Sequence, residues 1–110
     1  MALLTRDDLQ RELEDILGSK NVYYEPPASV KMKYPCIVYT LARLHNRSAN
    51  NGPVYIRYDS YTVTYITRTQ EITRTEDSVC EKLLAMGGSA FDRDFTSDNL
   101  YHYVFTVYLG

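Results

Sequence analysis

The sequence predicts an α+β domain: an antiparallel sheet of about four to five strands with two helices on one face, in the order α-β-β-β-α-β-β. Three observations lead there. Two stretches, Leu9 to Leu17 and Val79 to Met86, carry apolar residues at helical spacing and are followed by glycine. Three others, Cys36 to Leu44, Tyr55 to Arg68 and Leu100 to Leu109, are dense in aromatic and β-branched residues. The first two of these strands follow one another across a turn-forming segment, Arg47 to Pro53, and so make a hairpin, which is antiparallel.

The elements follow in order. Thr5 is placed to cap the first helix, with Asp8 at its third position, and Asp7 and Asp8 suit the positive end of the helix dipole. Leu9, Leu13, Ile16 and Leu17 form its apolar stripe, Arg6, Arg11, Glu12 and Asp15 its wet side, and Gly18 its stop. Asn21 to Tyr24 suits a short strand, halted by Pro26 and Pro27. After Pro35, the apolar run from Cys36 to Leu41 reads as a central strand reaching about Leu44, and Tyr55 to Arg68 is the longest strand. Thr73 with Glu76 is a capping box for a second helix, with Val79, Cys80, Leu83, Leu84 and Met86 as its stripe and Gly87-Gly88 at its end. Phe91 to Phe95 is a short extended piece, Ser97-Asp98-Asn99 turns the chain, and Leu100 to Leu109 closes the sheet.

A chain of 110 residues, 45% hydrophobic and 24% charged, suits a single domain over 1–110. Area scaling gives ~6,200 Å² folded against ~18,000 Å² unfolded, enough burial without disulfide or metal staples. No apolar run has the length a membrane-spanning helix needs. Twelve Lys and Arg against 14 Asp and Glu give a net charge of -2. A protein that grips phosphates is normally basic, so specific nucleic-acid binding is not expected. Cys36 and Cys80 belong to no C-x-x-C pair and read as small core residues. His45 and His102 lack ligand-spaced partners, so neither a metal nor a cofactor is expected.

No catalytic constellation stands out. There is no phosphate-cradling glycine loop, no G-x-S-x-G elbow and no H-E-x-x-H. Asp7/Asp8 and Glu76/Asp77 sit at helix N-termini, and Asp92 and Asp94 flank Arg93 in the manner of a local ion pair or Asx-turn. His102 has no nucleophile placed beside it. Lys20, Lys31 and Lys33 interleave with Tyr23, Tyr24 and Tyr34 as in nucleic-acid binders, but the acidic total favours solvated flanks of a strand start. The expectation is a protein that is not an enzyme.

The unusual feature is aromatic: 11 Tyr, 3 Phe and no Trp. Strand alternation sets Tyr61, Val63 and Tyr65 against Ile56, Tyr58 and Ile66, and Tyr101, Tyr103, Phe105 and Val107 against Leu100, Val104 and Tyr108. Both sides thus carry apolar or aromatic groups, while two helices ~10 Å wide cover only one face of such a sheet. Tyrosine suits an uncovered face that another chain will meet, because the ring packs while the hydroxyl stays wet. It also suits a merely solvated β-face. The first reading makes assembly the function, with Tyr58, Tyr101 and Tyr103 and the polar-loop residues Arg43 and Arg47 as candidate contacts. Charging Tyr58 or Tyr103 is then expected to impair assembly more than folding. Alternation does not say which parity the helices take.

Several strings recur together: Tyr23-Tyr24-Glu25-Pro26-Pro27, Lys33-Tyr34-Pro35-Cys36-Ile37-Val38-Tyr39, Asp59-Ser60-Tyr61-Thr62-Val63-Thr64, Phe91-Asp92-Arg93 and Asp98-Asn99-Leu100-Tyr101-His102-Tyr103-Val104-Phe105. In this order, over about Asn21 to Leu109, the chain resembles the tail-terminator (tail-completion) proteins of long-tailed bacteriophages and prophages. It departs from them at Thr67 to Thr75, which is longer and richer in Thr and Arg than a short turn. The resemblance implies a structural virion protein of the tail and neck, assembled in the host cytoplasm. Such a protein forms a ring, commonly a hexamer, that caps the tail tube and joins it to the head-tail connector. It implies no catalytic residue, cofactor or membrane partner. An acidic chain would suit a ring channel through which DNA slides without being gripped. A head-closure or other neck protein, and a small ferredoxin-like nucleic-acid-binding domain, are the alternatives.

Overall fold

The computed structural model describes residues 5–48, 55–69 and 78–109, with side chains described at 5–42, 59–69 and 78–109. The chain runs α1 (Arg6–Leu17), β1 (Val22–Tyr24), β2 (Cys36–Ser48), β3 (Tyr55–Thr67), α2 (Val79–Leu84), β4 (Ser89–Ser97) and β5 (Leu100–Leu109). The α+β class and element order are those the sequence implies. Helix α1 has its full capping box: the Asp8 amide donates to Thr5 Oγ1 and the Thr5 amide to Asp8 Oδ2, each at 3.2 Å. Gly18 ends it in the left-handed region at φ 77°. The capping box at Thr73 and Glu76 falls outside the described residues; the described part of the second helix starts after Ser78, whose hydroxyl accepts from the Glu81 amide.

The sheet has five strands in the order β1-β2-β3-β5-β4. It is mixed rather than wholly antiparallel, because β1 runs parallel to β2, with Val22 beside Ile37 and Tyr24 beside Tyr39. A parallel neighbour needs a crossover, and residues 25–35 supply it by carrying the chain back to the same end of the sheet. The extended piece expected at Phe91 to Phe95 is a nine-residue strand. It joins β5 through a two-residue turn in which Asp98 and Asn99 both have positive φ, the geometry a tight hairpin requires.

Both helices pack on the face carrying Ile37, Tyr39, Tyr61, Val63, Tyr65, Tyr103, Phe105, Val107 and Leu109. Leu9, Leu13 and Ile16 come from α1, Cys80 and Leu83 from α2, and Met86 follows α2. Polar bonds fix where α1 lies. The Tyr39 hydroxyl donates to Gln10 Oε1, and Gln10 Nε2 donates to the Val22 carbonyl at 3.2 Å. Tyr24 packs its ring 5.0 Å from that of Tyr39, and the Arg6 guanidinium lies 4.4 Å above the Tyr24 ring. Burial pushes the Tyr39 phenol up from its ordinary value, against the lowering effect of the Arg6 hydrogen bond.

One glycine position is strict. Gly88 has φ +78°, its carbonyl accepts from the Tyr108 amide at 2.9 Å, and a Cβ there would lie 2.7 Å from the Tyr108 carbonyl oxygen. Gly88→Ala is expected to destabilise the domain by more than about 1 kcal/mol in urea unfolding. Gly87→Ala, with nothing within 4 Å of its new Cβ, serves as the near-neutral control.

Candidate assembly surface

The strand ladders leave one part of the sheet thin. β5 reaches β3 no further than Asp59, and β1 pairs only with Ile37–Tyr39 of β2. Beyond those limits β2 and β3 continue as a two-stranded ribbon, with His45 opposite Tyr58, Arg47 opposite Ile56 and Ser48 opposite Tyr55. No third strand joins them among the described residues. The register slips by one between Leu41 and Arg43, so that Arg43 stands at the root of the ribbon opposite Ser60. Three of the expected contact residues, Arg43, Arg47 and Tyr58, are therefore on this ribbon or at its root. Their side chains lie outside the described set.

The other two are elsewhere, and the expectation for them is corrected. Tyr103 is 3% exposed and stacks on Tyr65 at 6.0 Å, and Tyr101 packs half-buried against the same core. Both lie on the helix-covered side, because register places Tyr103 beside Tyr65 and Phe105 beside Val63. They are held by their own chain rather than left for another.

The opposite face is also less greasy than strand alternation suggests. Across it run Val38, Thr64, Val104 and Arg93 in one row, and Thr40, Thr62 and Thr106 in the next. The threonines are half-buried, and Ile66 and Val104 are buried among their neighbours. Most of the sheet's aromatic rings face the helices, so this side is a threonine-rich surface with aromatic groups at its rim. The exposed ones are Phe95 and Tyr108, 43% and 48% exposed. Phe95 stacks flat on His102 with centroids 4.5 Å apart, and Arg93 lies 5.9 Å from the Phe95 ring.

The rim aromatics of β4 escaped the sequence reading for a definite reason. Phe91, Arg93 and Phe95 have one parity in sequence, but a bulge between Phe91 and Arg93 shifts the register. Phe91 pairs with Phe105 on the helix side, edge-on at 5.4 Å, whereas Phe95 pairs with His102 on the other. β4 is thus an outer edge strand, exposed from Ala90 to Ser97, with its middle guarded by a bulge and the charges of Asp92, Arg93 and Asp94. The lysine–tyrosine interleaving before β2 is likewise divided. Tyr24 packs toward the core, while Lys20, Lys31 and Lys33 are exposed.

Both cysteines are free and buried, as their composition and spacing suggest. Burial pushes the Cys36 thiol up to about 11. A protonated thiol is a poor nucleophile, so Cys36 is expected to resist alkylation at pH 8 until the chain unfolds, as read by mass spectrometry across a urea series. The folded state holds the proton more tightly than the unfolded one. Its contribution to stability is therefore intact below the ordinary thiol range and declines as pH rises toward about 11. Among the described residues there is no group of three His, Cys, Asp or Glu able to hold a metal ion, and no helix long and apolar enough to cross a membrane.

Comparison with known proteins adds no relative: no family model matches the chain, and no curated protein matches it.

Proposed function

We propose that this chain is a structural subunit of a long-tailed phage particle, a tail terminator whose copies form a ring at the head-proximal end of the tail tube. The observation that carries the reading is the ribbon of β2 and β3 beyond the sheet. An isolated two-stranded ribbon is marginal in water and gains stability only by packing against something else. A ring neighbour, the tube protein or the head-tail connector provides that surface. The shape of the molecule supports this. Its radius of gyration is 15.2 Å and its longest extent 52 Å, against roughly 13 Å for the radius of a compact chain of this length. Its accessible area is 7321 Å², above the ~6,200 Å² that mass alone gives. The ring, of six copies on this reading, is non-enzymatic and binds no specific nucleic-acid sequence.

The test is direct. Replacing residues 45–58 with a two-residue turn should leave a folded subunit, judged by circular dichroism, that no longer joins particles. Gold-labelled wild-type protein should decorate the head-proximal end of the tail in electron micrographs of purified particles. Label on the head shell, or no label at all, would overturn the reading.

A further inference from the structure

The chain's small net charge hides two opposed surfaces. Helix α1 carries five acids, Asp7, Asp8, Glu12, Glu14 and Asp15, against two arginines. One arginine is spent internally, since Arg11 pairs with Asp8 at 2.9 Å. Where α1 meets α2 there is a shallow groove of about 280 Å³, lined by apolar Ile16, Ala85 and Met86 and by charged Glu12, Asp15 and Lys82. No ion pair joins Glu12 or Asp15 to a described residue.

Cations gather on the other side of the sheet. Tyr23 is the ladder partner of Val38, on the face away from the helices, and its hydroxyl accepts from the Lys33 amide at 3.3 Å. Arg68, from the end of β3, lies 5.3 Å above the Tyr34 ring of the same loop. Lys31, Lys33 and Arg68 are all exposed there, beside Val30, which is 38% exposed. Among the described residues, Asp98 in the β4–β5 turn is an acid that strand order brings toward this end, and exposed Glu25 begins the same 25–35 segment.

A groove with an apolar lining and two acids against one lysine, and an exposed loop bearing Val30 and two lysines with Arg68 beside it, are complementary. They lie on opposite faces of one sheet, so a single copy cannot bring them together. We infer that a second copy of this chain is the occupant: the Val30–Lys33 loop of one copy, with Arg68 beside it, docks against the α1–α2 groove of the next. The contact is heterologous, with different surfaces on the two partners, and repeats head to tail, the arrangement that closes into rings. Charge complementarity of this kind sets the partner and the register. The inference rests on the ring reading above and names the joint.

Sedimentation velocity over a concentration series, at about 50 mM and about 0.5 M salt, tests it. Wild type should associate at low salt and weaken at high salt. The pair K31E/K33E, and separately E12K/D15K, should weaken association at least about tenfold with unchanged thermal unfolding. Mixing the two variants should restore assembly, because each supplies the surface that the other needs. The four-fold reversal combining both pairs should also restore it. Pair variants that associate like wild type, a mixture that stays monomeric, or a wild type that does not associate at low salt would each overturn the joint. Decoration of the tail end by wild-type protein is independent of these results, so the ring reading can stand when the joint fails.

Discussion

Phe105→Ala is expected to remove about 3–5 kcal/mol of the domain's stability. Phe105 is fully buried at the centre of the helix-covered face, beside Val63 on β3 and edge-on to Phe91 on β4. Truncating a buried phenylalanine removes its transfer free energy and leaves a cavity that the sheet cannot collapse to fill, costing about 3–5 kcal/mol. A domain of this size has roughly 5–15 kcal/mol in total, so the loss is a large part of its stability. Tyr108→Ala is the matched control on the same strand. Tyr108 is 48% exposed on the opposite face, and its loss should stay within about 0.5 kcal/mol. Urea unfolding of the two variants measures the contrast. Equal losses would mean that both faces of β5 are sealed within one chain.

Tyr103→Asp should abolish folding rather than assembly alone. The residue stands beside Tyr65 on the helix-covered face at 3% exposure, so an aspartate would be buried in an apolar site. It must then stay protonated or ionise in an apolar site, and either route costs several kcal/mol, about 2–7 for an unsatisfied polar group and more for a charge. The same substitution at Thr106, half-buried on the threonine-rich face, should cost no more than about 1 kcal/mol, the span of strand propensity. Circular dichroism separates an unfolded Tyr103→Asp chain from a folded one that has merely lost its partners. A folded, monomeric Tyr103→Asp would return Tyr103 to the list of contact residues.

Much of this molecule was legible in local pattern. The Thr5–Asp8 cap, the Leu9–Leu13–Ile16 stripe and the Gly18 stop each depend on neighbours a turn or less away, and α1 has the bounds they imply. The last strand runs from Leu100 to Leu109, as its aromatic and β-branched residues and the preceding Asp98-Asn99 turn require. The candidate surface was less legible. The ribbon was readable as a hairpin, but that it outruns the sheet depends on where β1 and β5 stop, which is set by strand pairing between distant residues. The opposite faces of Phe91 and Phe95 come from a bulge against β5 that no residue of β4 announces.

Alternation along β3 and β5 settles which residues share a side, since successive side chains must point to opposite faces. It cannot say which side the helices take, because Tyr61, Val63 and Tyr65 are no more apolar as a set than Ile56, Tyr58 and Ile66. That choice is made by packing: Leu9, Leu13, Cys80 and Leu83 bury most area against the face where Tyr39, Tyr65, Tyr103 and Phe105 stand together. Local spacing thus specifies the elements and their parity. Only the long-range burial of apolar area turns that parity into a core on one side and a half-buried, threonine-rich surface on the other.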